Sequence, residues 1–240
     1  MRAPSSVACA RCTACSRPRT KCASGAPNPV WTWDVTERNG PVKGGRDPRY
    51  VVLDLFRRDV VAWMLARRES ATLAQWLIRT ACERHGIVVG PLTSHRDRGS
   101  MQTAKDLHAR YEDLGVIRSL SRPRVSNDHA FSESPFKTTQ YSPTYPERFD
   151  IFAHAEAWCA TFFQHDNEAH RHSGLAFLTP ATMHHGDPAA VLAQRQATMD
   201  RAYQQHPGRF VHGPSRIPSL PDAAWINRAE DETAIVRIPS

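Results

Sequence analysis

At 240 residues, with 40% hydrophobic and 23% charged positions, the chain can bury one substantial core and still spare residues for tails or a small module. No apolar run approaches the roughly 20 residues needed to cross a bilayer, and residues 1–10, with one arginine and no continuous apolar stretch, do not read as a secretion signal, so cytoplasm is expected. The net charge of +7 rests on 31 basic residues, only four of them lysine, and points to an anionic partner such as nucleic acid, although codon usage also raises arginine content.

Residues 1–27 are polar, proline-rich and without periodicity, and are expected to be a disordered leader. Cys9, Cys12, Cys15 and Cys22 fall within it. Four thiolates could bind zinc, but a structural zinc site usually brings two ligand pairs around a turn, so the unstructured reading is preferred. Cys82 and Cys159 lie in apolar stretches and are expected to be buried free thiols.

The β-branched and aromatic run Val30-Trp31-Thr32-Trp33-Asp34-Val35-Thr36 predicts a strand. Period-two geometry puts Val30, Thr32 and Asp34 on one face and Trp31, Trp33 and Val35 on the other. Both faces are apolar apart from Asp34, so the strand should be central. Tyr50 to Phe56 and Val60 to Leu65 predict an antiparallel hairpin, its first strand starting late because Pro48 and its charged neighbours suit a strand interior poorly. An amphipathic helix should follow from Ser70, as its cap, to His85, with Leu73, Trp76, Leu77 and Thr80 on one face and Gly86 ending it. Leu92 to His95 reads as a strand, Gln102 to Leu114 as a helix and Val116 to Leu120 as a further strand. Helices over Ser132 to Tyr141, Phe152 to Phe163 and Asp187 to Gln205 come next, with an irregular tail from Pro207. Three antiparallel strands followed by alternating helix and strand predict an α/β fold: a ribonuclease H-like mixed five-stranded sheet with helices on both faces. The expected division is a leader over 1–27, a catalytic core over 28–186, and a C-terminal helix and tail over 187–240.

Phosphodiester chemistry with two metals needs carboxylates converging on one point, because hard divalent cations prefer oxygen ligands. Asp34 is the single charge in its strand, where an unpaired charge would be costly. Asp97 follows a strand end, the edge at which open α/β sheets bind ligands. Glu133 lies near a helix start, with 35 residues between it and Asp97. Each also has an ordinary reading, as a salt-bridged strand residue, a loop turn and a solvated first-turn acid. Asp54 and Asp59 are left out of this set.

These positions sit within strings that occur together and in order: Pro29 to Thr36, Gly40-Pro41-Val42-Lys43-Gly44, Val52 to Phe56, His95-Arg96-Asp97-Arg98-Gly99-Ser100, Ser121-Arg122-Pro123, Phe131-Ser132-Glu133, Phe136-Lys137-Thr138 and His170-Arg171-His172-Ser173-Gly174-Leu175. Over about residues 28 to 230 the chain resembles the OrfB-type insertion-sequence transposases of the retroviral-integrase (DDE) superfamily. The resemblance implies that Asp34, Asp97 and Glu133 are catalytic metal ligands for two Mg2+ (or Mn2+) ions, cutting and rejoining DNA without a covalent enzyme intermediate. It also implies self-association on paired DNA ends, nucleoid association when bound to DNA, and no membrane.

Lys137, four residues after Glu133, would share its helix face and could meet phosphate, or simply pair with Glu133. Arg96, Arg98, Arg122 and Arg124 could form a phosphate-binding rim that positions DNA without reading its sequence. His170-Arg171-His172 could suggest metal, but a structural or DNA-contacting loop is preferred, and His184-His185 are taken as surface. The chain departs from the family in lacking an upstream helix-turn-helix region ahead of the core, in Gly45 to Arg49, and in Pro135, which requires Glu133 to sit at the very start of its helix. The alternative to an active recombinase is therefore a truncated, catalytically weak DNA-binding remnant.

Overall fold

A computed structural model describes residues 22–24, 30–39, 45–87, 92–96, 116–120, 136, 138–146 and 148–226. Its centre is a five-stranded mixed sheet of strands β2 (Val30–Asn39), β3 (Arg46–Asp54), β4 (Val60–Leu65), β5 (Thr93–Arg96) and β6 (Ile117–Leu120), in the order β4-β3-β2-β5-β6. β3 runs antiparallel to both β2 and β4, whereas β5 adds in parallel beside β2 and β6 in parallel beside β5. This is the expected ribonuclease H-like plan, with β2 central because both of its faces are apolar.

The two faces are covered by different helices. Trp31, Trp33, Tyr50 and Val52 pack with Ala74, Leu77, Ile78, Ala81 and Cys82 of helix α1 (Ala71–Arg84). On the other face Val51, Leu53, Val60 and Leu65 pack with Ala155, Cys159 and Phe163 of helix α2 (Phe152–Glu168), together with Phe136 and Phe149. In β4, Ala62 pairs with Val52 but Val60 pairs with Leu53, so Val61 is an extra, bulged residue. The bulge explains how consecutive Val61 and Ala62 both join the α1 side while Val60 joins the α2 side.

Several expectations are corrected. β3 starts at Arg46, not near Tyr50, and Pro48 lies inside it. The Pro48 carbonyl accepts from the Ala66 N–H at 3.0 Å, so its nitrogen faces the β4 side, beyond the end of that strand. The missing N–H therefore costs no β2–β3 ladder bond. Ser70 occupies the N-cap of α1, but its side chain makes no capping bond. Instead its backbone N–H donates to the Tyr50 hydroxyl at 2.7 Å. Trp76 stands 49% exposed; the buried stripe of α1 runs through Ala74, Leu77, Ile78, Ala81 and Cys82. Helix α2 runs five residues further than expected, to Glu168. A short helix, α3 (Pro180–His185), was not anticipated, although Thr179 caps it and Pro180 opens it.

The expected leader and tail also meet. Strand β1 (Cys22–Ser24) pairs antiparallel with β7 (Ala224–Ile226), and Ala224 and Ile226 are buried with Val30 and Leu55. Helix α4 (Pro188–Gln205) starts as expected, with the Asp187 side chain accepting from the Ala190 N–H at 3.0 Å, and buries none of its residues. Cys82 and Cys159 are buried free thiols, and burial pushes the Cys82 thiol up to about 11. The expected helix over Gln102 to Leu114 and the thiols of Cys9, Cys12 and Cys15 lie outside the described residues, as does the side chain of Cys22. No described helix is long and apolar enough to cross a membrane.

Candidate active site

Asp34 lies at the middle of β2 and is half-buried, with its carboxylate Oδ1 accepting from the Val35 N–H at 2.8 Å. Its cross-strand partner is Val51, so it faces the α2 side of the sheet, the side of Val51 and Leu53. Two residues back on the same face is Thr32, in parallel register with His95, which in turn pairs with Ser119. His95 Nδ1 and Ser119 Oγ are hydrogen-bonded at 2.9 Å, and all three residues are buried. A buried polar rung thus crosses β2, β5 and β6 one step below Asp34.

Asp97, Glu133, Lys137, Arg98, Arg122 and Arg124 lie outside the described residues. Their immediate neighbours do not. Arg96 ends β5 opposite Trp33. Phe136, three residues beyond Glu133, is helical and belongs to the apolar cluster that holds Val51. The Arg49 guanidinium carbon lies 5.3 Å from the Phe136 ring centroid, which ties that segment to Asp34's face. Arg96 does not fit the expected phosphate-binding rim: it is 1% exposed, with its guanidinium carbon 5.9 Å from the Trp33 ring centroid. Asp54 Oδ1 accepts from the N–H groups of Phe56 and Arg57 at 2.9 and 2.8 Å and so shapes the β3–β4 turn. His184 is half-buried against the Arg57 guanidinium and the His85 ring, and burial pulls its imidazole below the ordinary range.

The integrase core domain family matches residues 25–126, and a second integrase core domain family matches residues 114–180. The transposase for insertion sequence element IS904 of Lactococcus lactis subsp. lactis (strain IL1403) is 30% identical over 156 residues, covering 65% of this chain and 60% of the relative. Transposase InsF for insertion sequence IS3A of Escherichia coli (strain K12) is 27% identical over 159 residues, covering 64% and 53% respectively. Among solved structures, a chain of the simian T-cell lymphotropic virus intasome in complex with PP2A regulatory subunit B56 gamma shares the fold. Its TM-score is 0.52 at 16% identity, over 68% of this chain and 56% of that one. The two integrase core domain matches together span residues 25–180, and over much of that stretch the chain is similar to insertion-sequence transposases. It spans 60% and 53% of the length of these two curated relatives.

Proposed function

We propose that this chain is the catalytic core of a DNA transposase, a polynucleotidyl transferase that cuts and joins DNA with divalent metal. One observation carries the reading. The parallel ladder of β2 and β5 runs to Trp33 opposite Arg96, and the next residue in each strand's sequence is Asp34 and Asp97. Two carboxylates that each follow, in sequence, a residue of the same paired rung are the arrangement that a shared cation requires. Phe136 supports Glu133 as the third, because its segment packs on the face that carries Asp34.

Asp34, Asp97 and Glu133 form an all-oxygen donor set, which fits Mg2+ or Mn2+ and the two ions expected of the family. When bound, such ions activate the attacking water or 3′-hydroxyl and stabilise the leaving oxygen. The chain's own part is to supply the three carboxylates, of which Asp34 stands on β2 one step beyond the buried Thr32–His95–Ser119 rung. Lys137, Arg98, Arg122 and Arg124 hold the DNA backbone beside them through charge, while Arg96 stays inside the sheet. Self-association on paired DNA ends follows from the same reading. Residues 28–186 are taken as the core, which the absence of any buried residue in α4 supports, with the β1–β7 ribbon as an addition from both flanks.

The test is Mn2+-dependent nicking of supercoiled plasmid, which needs no knowledge of the element's ends. Nicking by the unaltered chain that disappears in folded Asp97→Asn is expected. Equal behaviour of the two proteins contradicts the proposal.

A further inference from the structure

At the other end of the sheet, the last turn of α2 and the residues just after it carry a second group of potential ligands. Asp166 is 5% exposed, and His172 Nε2 lies 3.9 Å from its Oδ2, too far for a hydrogen bond. That nitrogen is fully buried and has no hydrogen-bond partner among the described residues. The His170 and His172 rings sit 4.6 Å apart, centroid to centroid, at an interplanar angle of 90°. One donor atom from each of Asp166, His170 and His172 lies within 4.8 Å of the others. A buried, unsatisfied imidazole nitrogen aimed at a buried carboxylate is costly unless something bridges them.

We propose that Asp166, His170 and His172 form a transition-metal site, best suited to Zn2+, with water completing the coordination. Two imidazole nitrogens and one carboxylate oxygen are a common zinc donor set, whereas Mg2+ prefers oxygen alone. Small side-chain rotations suffice, since ligands about 2.0–2.2 Å from zinc lie roughly 3.3 Å from one another. The charged neighbours are Arg58, which opposes a cation, and Asp54 and Asp59, which offset it; all three belong to the β3–β4 turn and its approach.

The site is distinct from the Asp34 site. Within that turn the Leu55 N–H donates to the carbonyl of Val30, at the start of β2, at 3.0 Å. Asp34 is four residues further along, about 13 Å at strand rise. Bound metal would tie the end of α2 to the loop closed by the His172–Leu178 bridge. Asn167, beside Asp166, already fastens the same helix end to β4, its side chain bonding both backbone groups of Val60.

The experiment is titration of the metal-free chain with Co2+, followed by Zn2+ displacement, read by visible absorption and thermal melting. One Co2+ without thiolate charge transfer, a Zn2+-dependent rise in Tm, and roughly 10-fold or greater weakening in His170→Gln are expected. His170 is partly exposed, so that variant keeps the fold even where His172→Gln does not. The same binding should survive Cys→Ser exchange at Cys9, Cys12, Cys15 and Cys22. Absence of Co2+ binding, unchanged affinity in folded His170→Gln, or dependence on the four cysteines would overturn the proposal.

Discussion

Trp33 and Arg96 are parallel partners at the end of the described β2–β5 ladder, with the Arg96 guanidinium carbon 5.9 Å from the Trp33 ring centroid. The pair ends the described ladder directly before Asp34 on β2, and it keeps Arg96 inside the protein. Arg96→Ala should therefore lower stability by about 2–4 kcal/mol and leave the salt dependence of DNA affinity unchanged. Arg98→Ala should reduce the slope of log K against log[salt] by about 1. Urea denaturation and DNA binding across salt concentrations check both halves.

Asn167 joins α2 to β4 by accepting from the Val60 N–H at 2.9 Å and donating to the Val60 carbonyl at 3.1 Å. Asn167→Ala strands two backbone groups at once and should cost about 2–4 kcal/mol. Asn167→Asp turns an acceptor towards the Val60 carbonyl in place of the donor, so in the same denaturation experiment it should not recover the loss seen with alanine.

Tyr50 is buried, and its hydroxyl accepts from the Ser70 N–H and donates to the Ser70 carbonyl. Burial first, with Glu69 adding, raises its phenol above the ordinary value. The unfolded chain then ionises more readily than the folded one. Stability present below about pH 10 should fall as pH rises towards the folded value. Urea midpoints from about pH 8 to about pH 11 should show this alkaline decline, and Tyr50→Phe should flatten it.

Leu77 and Trp76 are neighbours on α1 with opposite exposures, 4% and 49%. Leu77→Ala should cost about 2–5 kcal/mol, as core truncations do. Trp76→Ala should cost less than about 1 kcal/mol despite removing the larger side chain. Chemical denaturation of the two variants decides between burial and size.

The central strand was readable because β-branched and aromatic residues alternate around one acid, and the Trp31 and Trp33 face went where period two put it. The start of β3 was misread because local preference counts against Pro48, while the cross-strand pairing of Glu37 with Pro48 and Asn39 with Arg46 is non-local. Pairing of Cys22–Ser24 with Ala224–Ile226 left no trace for the same reason: three residues joined across nearly the whole chain carry no periodic signal. Trp76 misled because hydrophobicity alone does not say which side of a helix meets the sheet. His170 and His172 were visible as a pair, but Asp166 joins them only through the turn that ends α2.

Mn2+ binding to a double-mutant cycle of Asp34→Asn and Asp97→Asn, made in a His170→Gln background, tests most directly whether these two carboxylates share a cation. Each single substitution should weaken binding at least roughly 10-fold, and the double variant should be far less impaired than the sum of the two effects, because both remove ligands from one site. Unchanged affinity in folded Asp34→Asn, or strictly additive losses, would contradict a shared metal centre at the head of β2 and β5.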